Sequence, residues 1–538
     1  MRAMHRATQC TRHETQETTP LHYTTTPRPM LRTTRLCNNK CTRLYSRLAA
    51  VKEMGVRAPT PLAQDAPPSL MKNAVSAAIP ARRASLASLK QHAGTPLDTI
   101  TVGSVLGGMR GNRSMFWAGT TLSPTEGIKF HGLTIEQCQA QMPGPGMPGG
   151  EGPDSPPTFL PESMLWLLMT GSVPTSVETQ SVTRLLNERI ESQGGQLPRH
   201  VSRALASLPR DLHPMTQLAV GVALLQRDSQ FARQYEAGTL SKAEYWAPTY
   251  DDSITLVANL PLLAGAVYSN VLGREAGAGA GAEAPPLGNW RPDRDWSYNL
   301  CSLLGMTADS QNRHDLTPCQ QADFVELMRL YTGIHADHEG GNVSAHATHL
   351  VGSALADPFL SYAAGLTGLA GPLHGLAAQE VVRFLQAAPE SVRESDSALH
   401  DYLWELLRGG HVVPGYGHAV LRRPDPRFSA MLRFAQERPH EFSGDPLVQL
   451  MVRLSHVAPG VLREHGKCQN PHPNVDAASG ILFYHYGVRE LLFFTVIFGC
   501  SRALGPLAQF VWDRAYGMPI ERCKSIDEAG LRKLCSAV

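Results

Sequence analysis

No two of the ten cysteines stand in a C-x-x-C pair, and they are scattered along 538 residues. That spacing excludes a disulfide framework and points to a reducing compartment. An excess of one charge is lacking too: 49 Lys and Arg face 47 Asp and Glu, a net charge of +2. No basic, aromatic-interleaved patch appears, so neither nucleic acid nor an anionic membrane is expected as partner. Long apolar runs are missing as well. The longest, "LLFFTVIFGC" from Leu491 to Cys500, is closed by Ser501 and Arg502. A membrane span needs about 20 residues, so this run reads as a buried core helix and no span is expected. Stretches of strand-type alternation are nearly absent.

What remains is helical. Hydrophobic residues make up 42% and charged residues 18%, the balance of a globular chain able to bury a large core. "PESMLWLLMTGSVPT" opens on Pro161 at a first-turn position and stops at Gly171. "DDSITLVANLPLLAGAVYSNVL" and "QADFVELMRLYTGI" carry three- and four-residue apolar spacing. The fold class is mainly α. Two Gly- and Pro-rich stretches near 143–157 and 273–288 read as loop insertions. The first holds a formal G-x-G-x-x-G at Gly144, Gly146 and Gly149, but its prolines and the absence of a preceding strand make it a loop.

The first 50 residues hold nine Lys and Arg and only two acids, among many Thr. This is the composition of a mitochondrial transit peptide, with a disordered basic tail as the alternative. Residues 51–84 read as a linker or processing region, and the helical pattern is expected from Ser85.

Several short stretches concentrate chemistry. "HADHEGGNVSAHATH" begins like the zincin H-E-x-x-H, but Asn342 stands where the second His belongs. On one helix His338 and His349 would lie about 16 Å apart along the axis. Ligand bonds of about 2 Å cannot span that, so no metal is expected; His346 and His349 read as packing residues. His338 and Asn342, beside the Gly340-Gly341 pair, suit a small oxygen-rich ligand. In "GLAGPLHGLAAQEVVRFLQ", Pro372 is expected at a helix first turn. His374 would then sit at the positive end of a helix dipole and be neutral, able to donate to a developing enolate or merely to pack. "HVVPGYGHAVLRRPDPRF" places a Gly-rich turn before His418, with Arg422 and Arg427 as planar donors for carboxylate or phosphate. In "NPHPNVDAASG", Asp476 reads first as an N-cap and second as a general base. Arg502, closing an apolar run, needs an anionic partner.

Taken together, "GGMRG" at 107–111, "HEGGNVSAH", "THLVGSAL", "GLAGPLHGLA", "VVPGYGHAVLR", "DPRF", "NPHPNVDA" and "SRALG" resemble citrate synthase of the eukaryotic mitochondrial type, in that family's order. The resemblance runs from about residue 95 to the C-terminus, interrupted by the insertions and by "DSQNRHDLTPCQ". It implies a large helical domain (85–375), a smaller helical domain (376–487) that closes over the site, and a return to the large domain (488–538). It implies condensation of acetyl-CoA with oxaloacetate and hydrolysis of citryl-CoA, in the mitochondrial matrix, with no cofactor beyond the acetyl-CoA substrate. By resemblance Asp476 is the base, His374 stabilises the enol and His418 polarises the ketone. His338, Asn342, Arg427 and Arg502 would hold oxaloacetate, joined by Arg522 from the other subunit of a homodimer. CoA would lie on Val412, Val413, Gly415, Tyr416 and Gly417, with Arg110, Arg422 and Lys467 toward its phosphates. Gln469 stands where the family commonly has a basic residue. The near alternative is 2-methylcitrate synthesis from propionyl-CoA; a remote one is a metal-dependent hydrolase built on His338, His346 and His349.

Overall fold

The helix expected at Pro161 runs Pro161–Thr170 and ends in Gly171, whose left-handed backbone caps it. The computed structural model describes residues 67–145, 158–275, 286–311 and 314–536. The basic segment 1–50 and the centres of both insertions lie outside the described residues. All described residues fall in one contact unit, Pro61–Val538.

One boundary differs from the sequence reading. A helix begins at Leu70, inside the stretch read as linker, and continues to Leu89. Its Met71, Val75 and Ile79 are buried against the helix Pro161–Thr170 and its neighbours. The four-residue spacing of those three side chains is a helical stripe. The prolines and alanines around it mask the signal, and Pro80 is carried inside the helix.

The site rests on helices labelled here in chain order. Helix α1, Trp246–Glu275, is the central one, packed against the helices Pro214–Leu225 and Trp296–Leu303. Then come α2 (Pro318–Ile334), α3 (Val343–Ser353), α4 (Pro358–Leu369) and α5 (Ala377–Ala387). They are followed by α6 (Pro426–Gln436), α7 (Pro439–Phe442), α8 (Pro446–His465) and α9 (Asp476–His485). The last two that matter are α10 (Phe494–Arg502) and α11 (Leu504–Tyr516). Helices α3 and α4 form the tightest pair, while α5, α6 and α8 all pack on α9. Among the described residues the only sheet is the antiparallel pair Thr120–Ser123 and Gly127–Phe130.

Two segments, Trp246–Gly273 and Leu491–Tyr516, are long and apolar enough to cross a membrane by length and composition. Their apolar windows are 89% and 83% buried inside the protein, the pattern of core helices.

Candidate active site

The segment between α2 and α3 carries the "HEGGN" motif and turns back on itself. Glu339 sits at φ 64°, a left-handed conformation that needs outside support. Asp337, fully buried, supplies it. Its carboxylate accepts from Trp117 Nε1 (2.8 Å), Thr120 Oγ1 (2.8 Å) and the His338 N–H (2.9 Å), and Thr120 Oγ1 in turn accepts from the Glu339 N–H. Burial raises the Asp337 carboxyl pKa, and these donors pull it back. The glycine pair does not serve a ligand as a unit. A Cβ on Gly340 would lie 2.5 Å from Met115 Sδ and from the Trp117 ring, so protein fills that space; Gly341 faces open space.

His338 is thereby held against His418, ring centres 5.6 Å apart. Among the described residues its buried Nε2 has no hydrogen-bond partner. Burial, then Arg427 and Arg502, hold its pKa well below the usual histidine range, so the ring is neutral.

His418 follows the "PGYG" turn. Gly415, at φ 79°, packs where a Cβ would meet Ala477 of α9 at 2.9 Å, and the Asn474 N–H donates to its carbonyl at 2.9 Å. The turn is therefore stitched to the start of α9. The backbone N–H groups of Val420 and Leu421 both donate to His418 Nδ1 at 3.0 Å. Nδ1 must accept, so the proton of the neutral ring sits on Nε2. Burial, then Arg427, lowers its pKa to about 4.

His374 reaches the expected electrostatics by another route. Helix α5 starts only at Ala377, and His374 lies in the turn before it. Pro372 is not at a helix start. The helix end that meets the imidazole belongs to α3: the Ser344 N–H, second residue of α3, donates to His374 Nε2 at 3.3 Å, with the Ser344 hydroxyl 2.9 Å away. Nε2 accepts and Nδ1 carries the proton. Burial, then Arg502, lowers the pKa to about 4.

Asp476 is the first residue of α9, not its cap, and Asn474 Oδ1 accepts its N–H at 3.0 Å. Among the described residues its carboxylate takes no hydrogen bond. Burial raises its pKa to about 6, with Arg427 and Arg502 working against that and Asp425 with it.

The two arginines are buried differently. Arg427 Nε and Nη2 grip both oxygens of Asp425 at 3.1 and 2.7 Å, and Asp425 also caps α6 by accepting the Arg427 N–H at 2.9 Å. Burial works against the Asp425 charge, but Arg427 outweighs it and keeps the carboxyl below its usual range. Arg502 Nε donates to the His335 carbonyl (3.0 Å) and Nη1 to Asn342 Oδ1 (3.2 Å), with the guanidinium 4.7 Å over Phe498. It has no carboxylate within ion-pair distance among the described residues, and burial lowers its pKa to about 10. The charge of Arg502 acts on His338, His374 and Asp476; that of Arg427 acts on His338, His418 and Asp476. Six side chains from five separate stretches thus share one field.

Other expected residues fall elsewhere. Asn342 caps α3, its Oδ1 accepting from Ala345 N–H, Ser344 Oγ and Arg502, its Nδ2 donating to the carbonyls of His338 and Glu339. Its amide is saturated, which makes it a bracket for Arg502 and His338. His346 and His349 are not simply packed: both reach Glu521, at 3.0 and 3.5 Å, and His349 Nδ1 bonds Asp513 at 2.8 Å. Val413 and Gly415 are buried and Tyr416 and Gly417 half-buried, whereas Val412 is 77% exposed. Arg422 turns its Nη1 onto the carbonyls of Val420 and Leu421 and its Nη2 onto Gln469. Arg110, Lys467 and Arg522 are exposed, and this chain does not bring Arg522 to the cluster. Asp337, Ser344 and Asp425 were missed. Only Asp425 carried a local signal, an acid directly before Pro426, the pattern of a cap followed by proline at a first turn.

Residues 108–524 match the family described as "Citrate synthase, C-terminal domain". The chain is 56% identical over 472 residues to "Citrate synthase 3, mitochondrial" of Saccharomyces cerevisiae, covering 87% of this chain and 93% of the relative. It is 50% identical to "2-methylcitrate synthase, mitochondrial" of Aspergillus fumigatus, covering 86% and 93%. In fold it matches the crystal structure of citrate synthase from Pyrobaculum aerophilum, with a TM-score of 0.63 at 22% identity over 80% of this chain and 96% of that one. The chain belongs to the citrate synthase family and is an enzyme.

Proposed function

We propose that this enzyme condenses acetyl-CoA with oxaloacetate and hydrolyses the resulting citryl-CoA to citrate and CoA. The observation that carries the reading is the pair of unmet needs at the site's centre. Among the described residues His338 Nε2 is buried without a hydrogen-bond partner, and the buried Arg502 has no carboxylate within ion-pair distance, Asp337 acting on it only from farther away. A small dicarboxylate supplies acceptors and negative charge to both, at a place where leaving them unmet is costly.

The protonation states then divide the work. Asp476, with a pKa of about 6, is ionised at neutral pH and takes a methyl proton from acetyl-CoA. The neutral His374 donates from Nδ1 to the thioester oxygen as the enol forms. The enol carbon attacks the ketone of oxaloacetate, whose oxygen receives a hydrogen bond and then a proton from His418 Nε2; the proton that Asp476 removed returns to His418 by way of water, which restores both groups. Water then cleaves the thioester and CoA leaves as the thiol. His338, Arg427 and Arg502 bind the oxaloacetate carboxylates and carbonyl, with Asn342 holding Arg502 in place. No cofactor is needed, because side chains cover both acid and base roles.

CoA lies along Val412 to Gly417, with Arg110, Arg422 and Lys467 toward its phosphates. Residues 376–487, in which α5, α6 and α8 pack on α9, form the smaller domain that closes on oxaloacetate and excludes water from the enol. Exposed Val343, Leu350 and Leu360 on α3 and α4 support a homodimer, in which Arg522 completes the partner's site. Residues 1–50 direct the chain to the mitochondrial matrix and are removed there, in keeping with relatives whose names place them in mitochondria. Among the described residues the two long apolar segments lie mostly buried in the protein and are read as core helices, not membrane spans.

The relatives named 2-methylcitrate synthase support a second activity on propionyl-CoA. One methylene changes discrimination by about 1–3 kcal/mol. The test is CoA release from acetyl-CoA and from propionyl-CoA, each with and without oxaloacetate. Oxaloacetate-dependent release that is faster with acetyl-CoA is expected; a reversed preference replaces the first reading with the second, and no dependence on oxaloacetate removes both.

A further inference from the structure

Cys319 and Asp323 lie four residues apart on one face of α2, near its start, and His440 of α7 faces them. One ligand atom from each, Cys319 Sγ, Asp323 Oδ2 and His440 Nε2, can be chosen so that all three lie within 4.8 Å of one another. The Asp323 carboxylate is 4.0 Å from the thiol and 3.9 Å from the imidazole. Among the described residues no other group of three such ligands converges in this way. We propose that these three residues form a binding site for a zinc-class divalent cation, separate from the condensation site.

The donor set decides the class of ion. One thiolate, one imidazole and one carboxylate form a mixed soft and borderline set suited to zinc and not to magnesium or calcium, which take all-oxygen shells. With metal–ligand bonds of about 2.0–2.3 Å, a tetrahedral ion wants its ligands roughly 3.5 Å apart. The present spacing, within 4.8 Å, therefore needs a contraction of about 1.3 Å at most. Cys319 is exposed and the His440 side chain is 62% exposed, so both can move, and solvent can fill a fourth position. On binding, the Cys319 thiol gives its proton to solvent and coordinates as thiolate.

The scaffold beneath the three ligands is already fixed. Arg438 Nε donates to Asp323 Oδ1 at 2.8 Å, which orients the carboxylate and leaves Oδ2 facing the other two ligands. Arg438 is also a cation near the ion, and Glu441 offsets it. Gln320 Nε2 and His485 Nε2 both bond Glu441 Oε1 at 2.7 Å, tying α2, α7 and α9 together under the site. Cys319 belongs to "DSQNRHDLTPCQ", a stretch that interrupts the family resemblance. This cluster is separate from the His338, His346 and His349 trio, whose spacing excludes a shared ion.

The full chain is stripped with chelator and titrated with Zn2+ alone by calorimetry, then with Co2+ by absorption. About one equivalent of Zn2+ is expected per chain. His440→Ala should weaken it at least about tenfold, the scale at which even supporting contacts of metal ligands matter. Co2+ should show a thiolate charge-transfer band in the parent chain and in Cys523→Ser, but not in Cys319→Ser. Equal Zn2+ affinity in His440→Ala and the parent, or a cobalt band that survives Cys319→Ser, overturns the proposal. All three altered side chains are exposed, so none of the variants is expected to unfold, and neither readout depends on turnover.

Discussion

Two halves of the proposed active site are built on opposite principles. The half that faces oxaloacetate is buried and cross-braced: His338 by Asp337, His418 by two backbone N–H groups, Arg427 by Asp425, Arg502 by Asn342 and a carbonyl. The half that faces CoA is exposed at Arg110, Val412 and Lys467, and its Arg422 is turned back onto its own loop. Pre-organisation belongs where charge develops and reacting atoms must align. A long, flexible, multiply charged ligand can instead be gathered by solvated groups at little cost in fixed geometry. Substitutions in the first half should therefore act on rate or on the fold, and those in the second half on apparent affinity.

The largest effect is expected at the base. Asp476→Ala should lower kcat by roughly a hundred- to ten-thousand-fold while oxaloacetate still binds, since among the described residues its carboxylate makes no hydrogen bond that supports the fold. Loss of oxaloacetate binding by calorimetry would instead make Asp476 structural. The same group predicts the acid limb of the pH profile. Its carboxyl must be ionised to act, and its pKa is raised to about 6, so activity is full above that value and falls about tenfold per pH unit below it. His374 and His418, at about 4, remain neutral through that window and do not contribute.

Next comes the brace itself. Asp425→Ala removes the partner of a buried guanidinium and the cap of α6 together. Breaking a buried pair from one side costs about 3–5 kcal/mol, to be read as a lowered denaturation midpoint. If the loss falls below about 1 kcal/mol, Arg427 is not held by Asp425 in the way the geometry implies.

How far this contrast could be read from the sequence follows from where each partner comes from. Helices such as Pro161–Thr170 and Pro318–Ile334 were legible because their apolar period and end signals are local. The helix Leu70–Leu89 was not, since alanine and proline around it hide a stripe of only three buried side chains. The "PGYGH" turn and its histidine could be picked out, but the two N–H donors that set the His418 tautomer are a matter of loop geometry. His374 is the instructive case. The physics of a neutral imidazole at a helix start was sound, yet the helix is α3, thirty residues earlier in the chain, and nothing local to "GPLHG" points to it. Asp337 sat unremarked in the quoted stretch because its partners, Trp117 and Thr120, are more than two hundred residues away.

The smallest effect sharpens the comparison from its exposed side. Lys467 is solvated, its neighbour Gln469 is bonded to Arg422, and the phosphates it would meet are reached through water and salt. Exposed charge pairs carry little net free energy. Lys467→Ala should therefore raise KM for acetyl-CoA only about two- to fivefold, leaving kcat and KM for oxaloacetate unchanged, the signature of lost uniform binding. Screening shortens the reach of exposed charges to about 3 Å at 1 M salt, so the difference between variant and parent should shrink as salt rises. A drop in kcat, or a KM effect indifferent to salt, would mean that Lys467 is organised like the oxaloacetate half and that the division between the two halves is drawn in the wrong place.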